Sequence, residues 1–449
     1  MSSLEQPAQK RPRRDSNNND SAQNCNTPTN TNINLFSLPD EAINNIISYG
    51  MTQKECQVWE WIGILSQTCR SLRRLAQTYA PTRIVLKDFK CYTRLSNSER
   101  SVDVRIGFLE SLRDHKWTRR RLKEFHVDPV SVLEGEDWRS EQVCNGIKDL
   151  LRTLITTEGS FPELEWIDIE LQSKVFSGYD LIDAESLRLM PDALPALKKL
   201  CLSKCFKHGK REISLHQLRQ FFTSLQTSLT SISICGPEWM TDSHIEAIMP
   251  IIGENLVRLE LVDCMLWNNE EGIFEACLTD DSLITIAQYC TQLKSFSMVG
   301  SDITTRNLER LLSTNTGITT LNLSENGQLD TRTVNVISKH LPRLEELRNA
   351  WYVGGDWLSD DGLIALVDAQ EKESDGSERI CLKLLGLNSS YLTVRGIKHA
   401  IDNGVREIEM HRGNLYDSIL DLGSDVKLYR PHTGHFIDGG LYEQAEYEY

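Results

Sequence analysis

An α/β solenoid, with short parallel strands on one side and helices on the other, is the fold class predicted by three observations. The first is a short apolar unit, L-x-x-L-x-L, that recurs ten times, beginning at Leu122, Leu164, Leu197, Leu229, Leu256, Leu293, Ile318, Leu344, Leu382 and Val405. The clearest copies read Leu256-Val-Arg-Leu259-Glu-Leu261-Val-Asp-Cys264 and Ile318-Thr-Thr-Leu321-Asn-Leu323-Ser-Glu-Asn326. Alternation over so few residues is a strand pattern. The second is a pattern between copies: Met240-Thr-Asp242-Ser-His-Ile245, Leu278-Thr-Asp280-Asp-Ser-Leu283 and Leu358-Ser-Asp360-Asp-Gly-Leu363. Thr or Ser caps a helix, Asp suits its first turn, and apolar residues three apart share a helix face. The third is that neither half can bury its apolar side alone, so stacking of units must do it. The result is a leucine-rich-repeat horseshoe, strands lining the concave side and helices covering the convex side.

In chain order, residues 1–34 are rich in Asn, Ser, Thr and Pro and poor in large apolar residues. Such a segment cannot offset its ordering entropy and is expected to be a disordered tail. It carries Lys10-Arg11-Pro12-Arg13-Arg14, either a solvated basic run or a nuclear import signal. From Leu35 to 78 the composition changes. Ser37-Leu38-Pro39-Asp40 opens a helix with Ile43, Ile46 and Ile47 on one face; Val58, Trp61, Ile62 and Leu65 mark a second; Cys69, Leu72, Leu75 and Ala76 mark a third. Three short helices in about 45 residues need a neighbour or partner to complete a core. Pro81 ends this module. A degenerate copy of the repeat follows at Ile84 and Leu86, and the repeat domain then runs over 81–411.

The repeat period varies between 23 and 42 residues, which implies insertions at 172–190, 205–213, 266–277 and 368–379. The last is polar and reads as a loop. Residues 412–449 leave the repeat and end in an acidic, aromatic stretch, a loose tail or a strap over the repeat surface.

Composition bounds the function. The 449 residues are 40% hydrophobic and 25% charged, with a net charge of −15. An acidic balance argues against nucleic acid and anionic membrane as partners. No apolar run is long enough to span a bilayer and no signal-peptide core opens the chain, so a nuclear or cytoplasmic, non-secreted protein is expected. The 12 cysteines form no CxxC pair and read as reduced thiols.

Cysteine-containing repeats with a following [IL]-[ST]-D-x-x-[LI] helix resemble those of F-box proteins. The segment Leu35-Phe-Ser-Leu38-Pro39 through Ile43 to Cys69-Arg70-Ser-Leu72 resembles the F-box itself. Together the two cover residues 35–411. The resemblance implies the substrate-recognition subunit of an SCF-type cullin–RING ubiquitin ligase. Its three-helix module would dock on a Skp-type adaptor through Leu38, Pro39, Ile43, Ile46, Ile47, Leu65, Cys69 and Leu72, while the repeats hold a protein substrate for ubiquitination. From the residues alone, these apolar faces either meet a partner or cap the first repeats. The capping reading makes the chain a repeat scaffold in a nuclear complex with no ligase role.

No phosphate loop, GxGxxG, HExxH or GxSxG is present, so a non-catalytic receptor without cofactor or metal is expected. His432 and His435 make a poor metal pair. Cys205, Cys264 and Cys290 read as packed repeat residues. The x residues flanking the inner leucines point away from the core. That places Lys199, Ser233, Arg258, Glu260, Ser297, Asn322 and Arg348 on the concave face, a polar surface fit for a peptide or folded partner. Lys199, Lys204 and Lys207, with Lys198, Lys210 and Arg211, are either a solvated loop or a seat for a phosphorylated or acidic segment. Trp267, Trp351 and Trp357 are either aromatic anchors or loop packing.

Overall fold

The computed structural model describes residues 83–85, 119–127, 141–170, 181–203, 213–236, 240–268, 273–349, 357–370, 381–387, 392–410 and 427–429, with a few single positions between. The expectations placed on the 10–14 basic run and on Leu38 through Leu72 lie outside these residues.

Twelve strands form one parallel sheet in the order of the chain, with a two-stranded hairpin set apart from it. The strands are β1 (Arg83–Val85), β2 (Glu124–Val127), β3 (Trp166–Glu170), β4 (Lys199–Ser203), β5 (Ser231–Cys235), β6 (Arg258–Val262), β9 (Ser295–Val299), β10 (Thr320–Asn322), β11 (Glu346–Asn349), β12 (Leu384–Leu387), β13 (Glu407–Met410) and β14 (Lys427–Tyr429). The hairpin pairs β7 (Met265–Asn268) with β8 (Ile273–Ala276) between β6 and β9. Nine helices alternate with the strands among the described residues: α1 (Glu141–Thr156), α2 (Ala184–Ala193), α3 (Leu215–Leu225), α4 (Asp242–Ile252), α5 (Asp280–Tyr289), α6 (Thr305–Thr314), α7 (Arg332–His340), α8 (Asp360–Asp368) and α9 (Val394–Asp402). A strand order that never reverses, with the right-handed crossovers that parallel strands favour, puts every described helix on one face and, among the described residues, leaves the other face helix-free.

All ten repeat copies become β2–β6 and β9–β13. The opening residue of each, from Leu122 to Val405, is buried. The next apolar position forms a continuous row through Phe125, Ile167, Leu200, Ile232, Leu259, Phe296, Leu321, Leu347, Leu385 and Ile408 under the helices. Each such side chain stabilises by roughly 1.5–3 kcal/mol when fully buried. Both ends of the sheet exceed the ten clear copies: β1 matches the degenerate unit at Ile84, and β14 lies within 412–449, where the sequence alone shows no repeat.

The insertion expected at 172–190 is shorter than its spacing suggests. Its second half is the start of α2, capped by Asp183, whose carboxylate accepts from the Ser186 amide at 2.8 Å. Pro191 inside that helix hides it from a periodicity reading. The insertion at 266–277 holds most of the β7–β8 hairpin.

The Asp residues at the helix starts do more than meet a helix dipole. Asp242 accepts four hydrogen bonds from the next helix start: from the Thr279 amide (2.9 Å) and hydroxyl (2.8 Å), and from the Ser282 amide (3.2 Å) and hydroxyl (2.5 Å). Asp280 binds the Thr304 amide and hydroxyl, both at 2.8 Å. Asp360 binds the Thr393 amide and hydroxyl and the Gly396 amide. Each Ser/Thr–Asp pair therefore joins two repeats, satisfying donors that a helix N-terminus leaves open.

At the other end of each unit the chain leaves the strand with a positive φ. The residue is Gly236 (72°), Asp263 (53°), Gly300 (70°) or Glu325 (61°) in four successive repeats. The Cys264 that follows Asp263 and the Asn326 that follows Glu325 close the turn. Asn326 donates to the Met298 carbonyl at 2.6 Å and accepts from the Ser301 amide at 3.2 Å. Cys264, at the same position, is fully buried.

Candidate binding face

Two rows of side chains cross the helix-free face, fixed by the strand register. The first runs Glu124, Trp166, Lys199, Ser231, Arg258, Ser295, Thr320, Glu346, Leu384 and Glu407. The second runs His126, Asp168, Cys201, Ser233, Glu260, Ser297, Asn322, Arg348, Gly386 and Glu409. Every concave-face residue expected from the sequence between Lys199 and Arg348 lies in these rows. Lys204 and Lys207 lie outside the described residues. Trp267 stands on β7, opposite Phe274, off the main sheet; its side chain is outside the described residues. Trp357 is 2% exposed and belongs to the core rather than to a binding surface; Trp351 is outside the described residues.

The second row differs from the expected solvated face. Ser233, Glu260, Ser297 and Asn322 are only 5–7% exposed. Strands about 4.8 Å apart crowd their side chains, so these polar groups are desolvated; Glu260 pairs with Arg258 and Asn322 accepts from Ser324. Such groups are costly unless satisfied, which makes the face a set of local ion pairs.

At one end, His126 Nδ1 lies 3.1 Å from Asp168 and its Nε2 lies 3.6 Å from Glu124. Its ring meets Trp166 edge-on at 4.4 Å, and the Lys199 ammonium sits 4.3 Å over the Trp166 ring. Trp166, His126 and Asp168 were legible as outward positions of the copies at Leu122 and Leu164, but a reading centred on the middle of the array passes over them. Beside them, burial pushes the Cys201 thiol well up, helped by the charges of Asp168 and Glu260 and opposed by a hydrogen bond with Ser233. A protonated thiol there packs and donates; it is no nucleophile.

In the middle, Arg258 meets Glu260 at 2.5 Å. Ser297 lies between Glu260 and Asn322 in register, and its hydroxyl has no hydrogen-bond partner among the described residues. Toward the far end, Arg348 lies 3.6 Å from Glu346 on its own strand and 3.5 Å from Glu409 two strands away. The strand between them carries Gly386, where a Cβ would come within 3.0 Å of the Arg348 side chain. The missing side chain is what lets Arg348 cross β12.

Just before the strands, one residue out on the rim, the charge sign reverses. Lys123, Lys198, Lys294, Lys383 and Arg406 stand there with Glu165 and Glu345. Lys198 meets Glu165 at 3.0 Å and Lys383 meets Glu345 at 3.4 Å. The hydrogen bond from Lys198, with the nearby lysine charges, outweighs desolvation and holds the Glu165 carboxyl below its ordinary value. Lys198, expected in a basic patch, is thus half of a surface pair.

Among the described residues no helix is long and apolar enough to cross a membrane, and no group of three or more His, Cys, Asp or Glu is placed to hold a metal ion. No protein-family model matches the chain, and no curated protein matches it. Among solved structures it is similar to a chain of the Rad7 and Elc1 complex from yeast, 17% identical over 60% of this chain and 74% of that one, with a TM-score of 0.38. It is also similar to the leucine-rich repeat-containing protein LegL7 from Legionella pneumophila, 13% identical over 68% of this chain and 88% of that one, with a TM-score of 0.35. The leucine-rich-repeat assignment rests on the strand order, the register and the buried repeat positions.

Proposed function

We propose that the chain is a non-catalytic receptor: the helix-free face of its sheet holds a protein partner, and residues 35–78 dock on a Skp-type adaptor of an SCF-type cullin–RING ubiquitin ligase. The observation that carries the first half is the pair of largely polar rows that run over ten strands and carry local ion pairs of their own. A pre-organised polar surface of this kind binds without first paying to order its side chains. The second half is supported by the resemblance of Leu38, Pro39, Ile43, Ile46 and the later apolar positions to the F-box. Such a receptor raises the local concentration of its partner near a charged conjugating enzyme and contributes no residue to the transfer. A nuclear or cytoplasmic location, with Lys10, Arg11, Arg13 and Arg14 as the import signal, belongs to the same proposal.

The test is co-purification of the full chain with a Skp-type adaptor, beside the Pro39→Ala/Ile46→Asp variant. Stoichiometric capture by the wild type, lost in the variant while circular dichroism stays unchanged, is the expected result. A folded wild-type chain that captures no adaptor would replace this reading with that of a repeat scaffold.

A further inference from the structure

The geometry points to a basic segment, one presenting Lys or Arg side chains, as the ligand of the helix-free face between β6 and β13. This deepens the receptor reading and rests on it. It also reverses the acidic or phosphorylated ligand that the lysine-rich stretch after β4 suggests.

Three observations carry it. Over these six strands the two rows hold four carboxylates, Glu260, Glu346, Glu407 and Glu409, against two guanidinium groups, Arg258 and Arg348, a net charge of −2 that Lys427, next in register to Glu407 on β14, reduces without reversing. Both arginines are bound to carboxylates of the same face, Arg258 to Glu260 and Arg348 to Glu346 and Glu409. An acidic ligand would have to break those pairs in a desolvated setting, whereas a cation meets the carboxylates that are in excess. Finally, the Ser297 hydroxyl is buried on this face with no hydrogen-bond partner among the described residues. It offers an acceptor beside Glu260, where an ammonium or guanidinium needs several.

The basic rim sets the orientation. A segment crossing the strands would turn its cations into the face and any acidic residues toward Lys294, Lys383 and Arg406. Six strands at about 4.8 Å spacing span about 24 Å, which an extended peptide covers in about seven or eight residues.

The experiment is fluorescence anisotropy of labelled decalysine and decaglutamate with the full chain at about 50 mM salt, where charge pairs are weakly screened. Because the chain carries −15 overall, two double variants are compared. Glu346→Gln/Glu407→Gln removes two charges from the face; Glu246→Gln/Asp281→Asn removes two exposed charges from helices. Decalysine should bind, the face pair should weaken it about fivefold or more, and the helix pair less than about twofold. Ser295→Arg, which adds a cation at a half-buried position while removing no member of an ion pair, should weaken it as well. Equal effects of the two pairs, or binding of decaglutamate with none of decalysine, would overturn the inference. Adaptor capture measured on the same variants keeps the two readings apart. Its loss with decalysine still bound counts against the ligase role alone. Its retention with decalysine indifferent to the face counts against the basic ligand alone.

Discussion

Removing the Asp242 carboxylate tests whether helix starts hold the repeats together or merely meet a dipole. In Asp242→Ala four donors lose their acceptor at once. Hydrogen bonds to a charged group are worth roughly 1.5–3 kcal/mol each, but four bonds to one carboxylate are not additive. The two Ser282 donors are the decisive pair: that residue is fully buried, so water cannot replace the acceptor, and each lost bond costs roughly 1–3 kcal/mol. The Thr279 donors are half-buried and partly rehydrate. The expected loss is about 3 kcal/mol. Asp242→Asn keeps one oxygen facing these donors and should cost about 1 kcal/mol. Asp281 occupies the first turn of α5 but is exposed. Its replacement by Ala should cost about 0.3–1 kcal/mol, the worth of a dipole interaction. The assay is urea unfolding of the full chain followed by far-ultraviolet circular dichroism, with hydrogen exchange at the Ser282 amide as the local readout. A repeat array can unfold in parts, so the exchange measurement decides between local and global loss. If Asp242→Ala costs no more than Asp281→Ala, the inter-repeat role is refuted and the dipole suffices.

Three further outcomes are expected. Glu325→Gly should raise the thermal midpoint, with a gain of up to about 1 kcal/mol, because Glu325 holds a positive φ that only glycine adopts without strain; Gly300→Ala should lower it, and equal midpoints would show the turn to be unstrained. Native thiol labelling at mildly alkaline pH should modify Cys277 and Cys381, both partly exposed, and spare Cys201, Cys264 and Cys290. Burial pushes the Cys290 thiol up to about 12 and the other two well above the ordinary value; prompt labelling of any of these three before unfolding would contradict that burial. Stability should fall as the pH drops through and below about 4, measured by urea midpoints. Asp183, Glu309 and Asp330 all have carboxyls held below their ordinary values. For Asp183, desolvation is outweighed by the Ser186 hydrogen bonds and the Arg152 charge; Lys339 holds Glu309 and Arg332 holds Asp330 by hydrogen bonds. A depressed folded-state pKa stabilises above the unfolded value and is lost on acidification. The effect is modest because these groups are largely exposed, and a rise in stability on acidification would contradict the assigned pairs.

How much was legible follows from the range of each interaction. The ten strands, the buried row from Phe125 to Ile408 and the outward positions from Lys199 to Arg348 were readable, because side-chain direction in a strand repeats every two residues and needs no partner to be known. The α2 start was obscured by Pro191, a local signal that usually ends a helix but here sits within one. The roles of Asp242, Asp280 and Asp360 were half legible. Their place in a first turn is local, but their partners lie 24 to 40 residues on.

The binding face divides in the same way. Sequence alone determined which residues line it, since L-x-x-L-x-L dictates both the core and its opposite. Tertiary structure alone decided what those residues do. Parallel stacking brings Glu124, His126 and Asp168 together, bonds Arg258 to Glu260, and lets Gly386 open a path for Arg348 to reach Glu409. It also buries the second row, which turns an ordinary polar surface into one whose charges act with little screening. Pattern along one chain fixes direction; only the register between strands fixes neighbours, and electrostatic character is a property of neighbours.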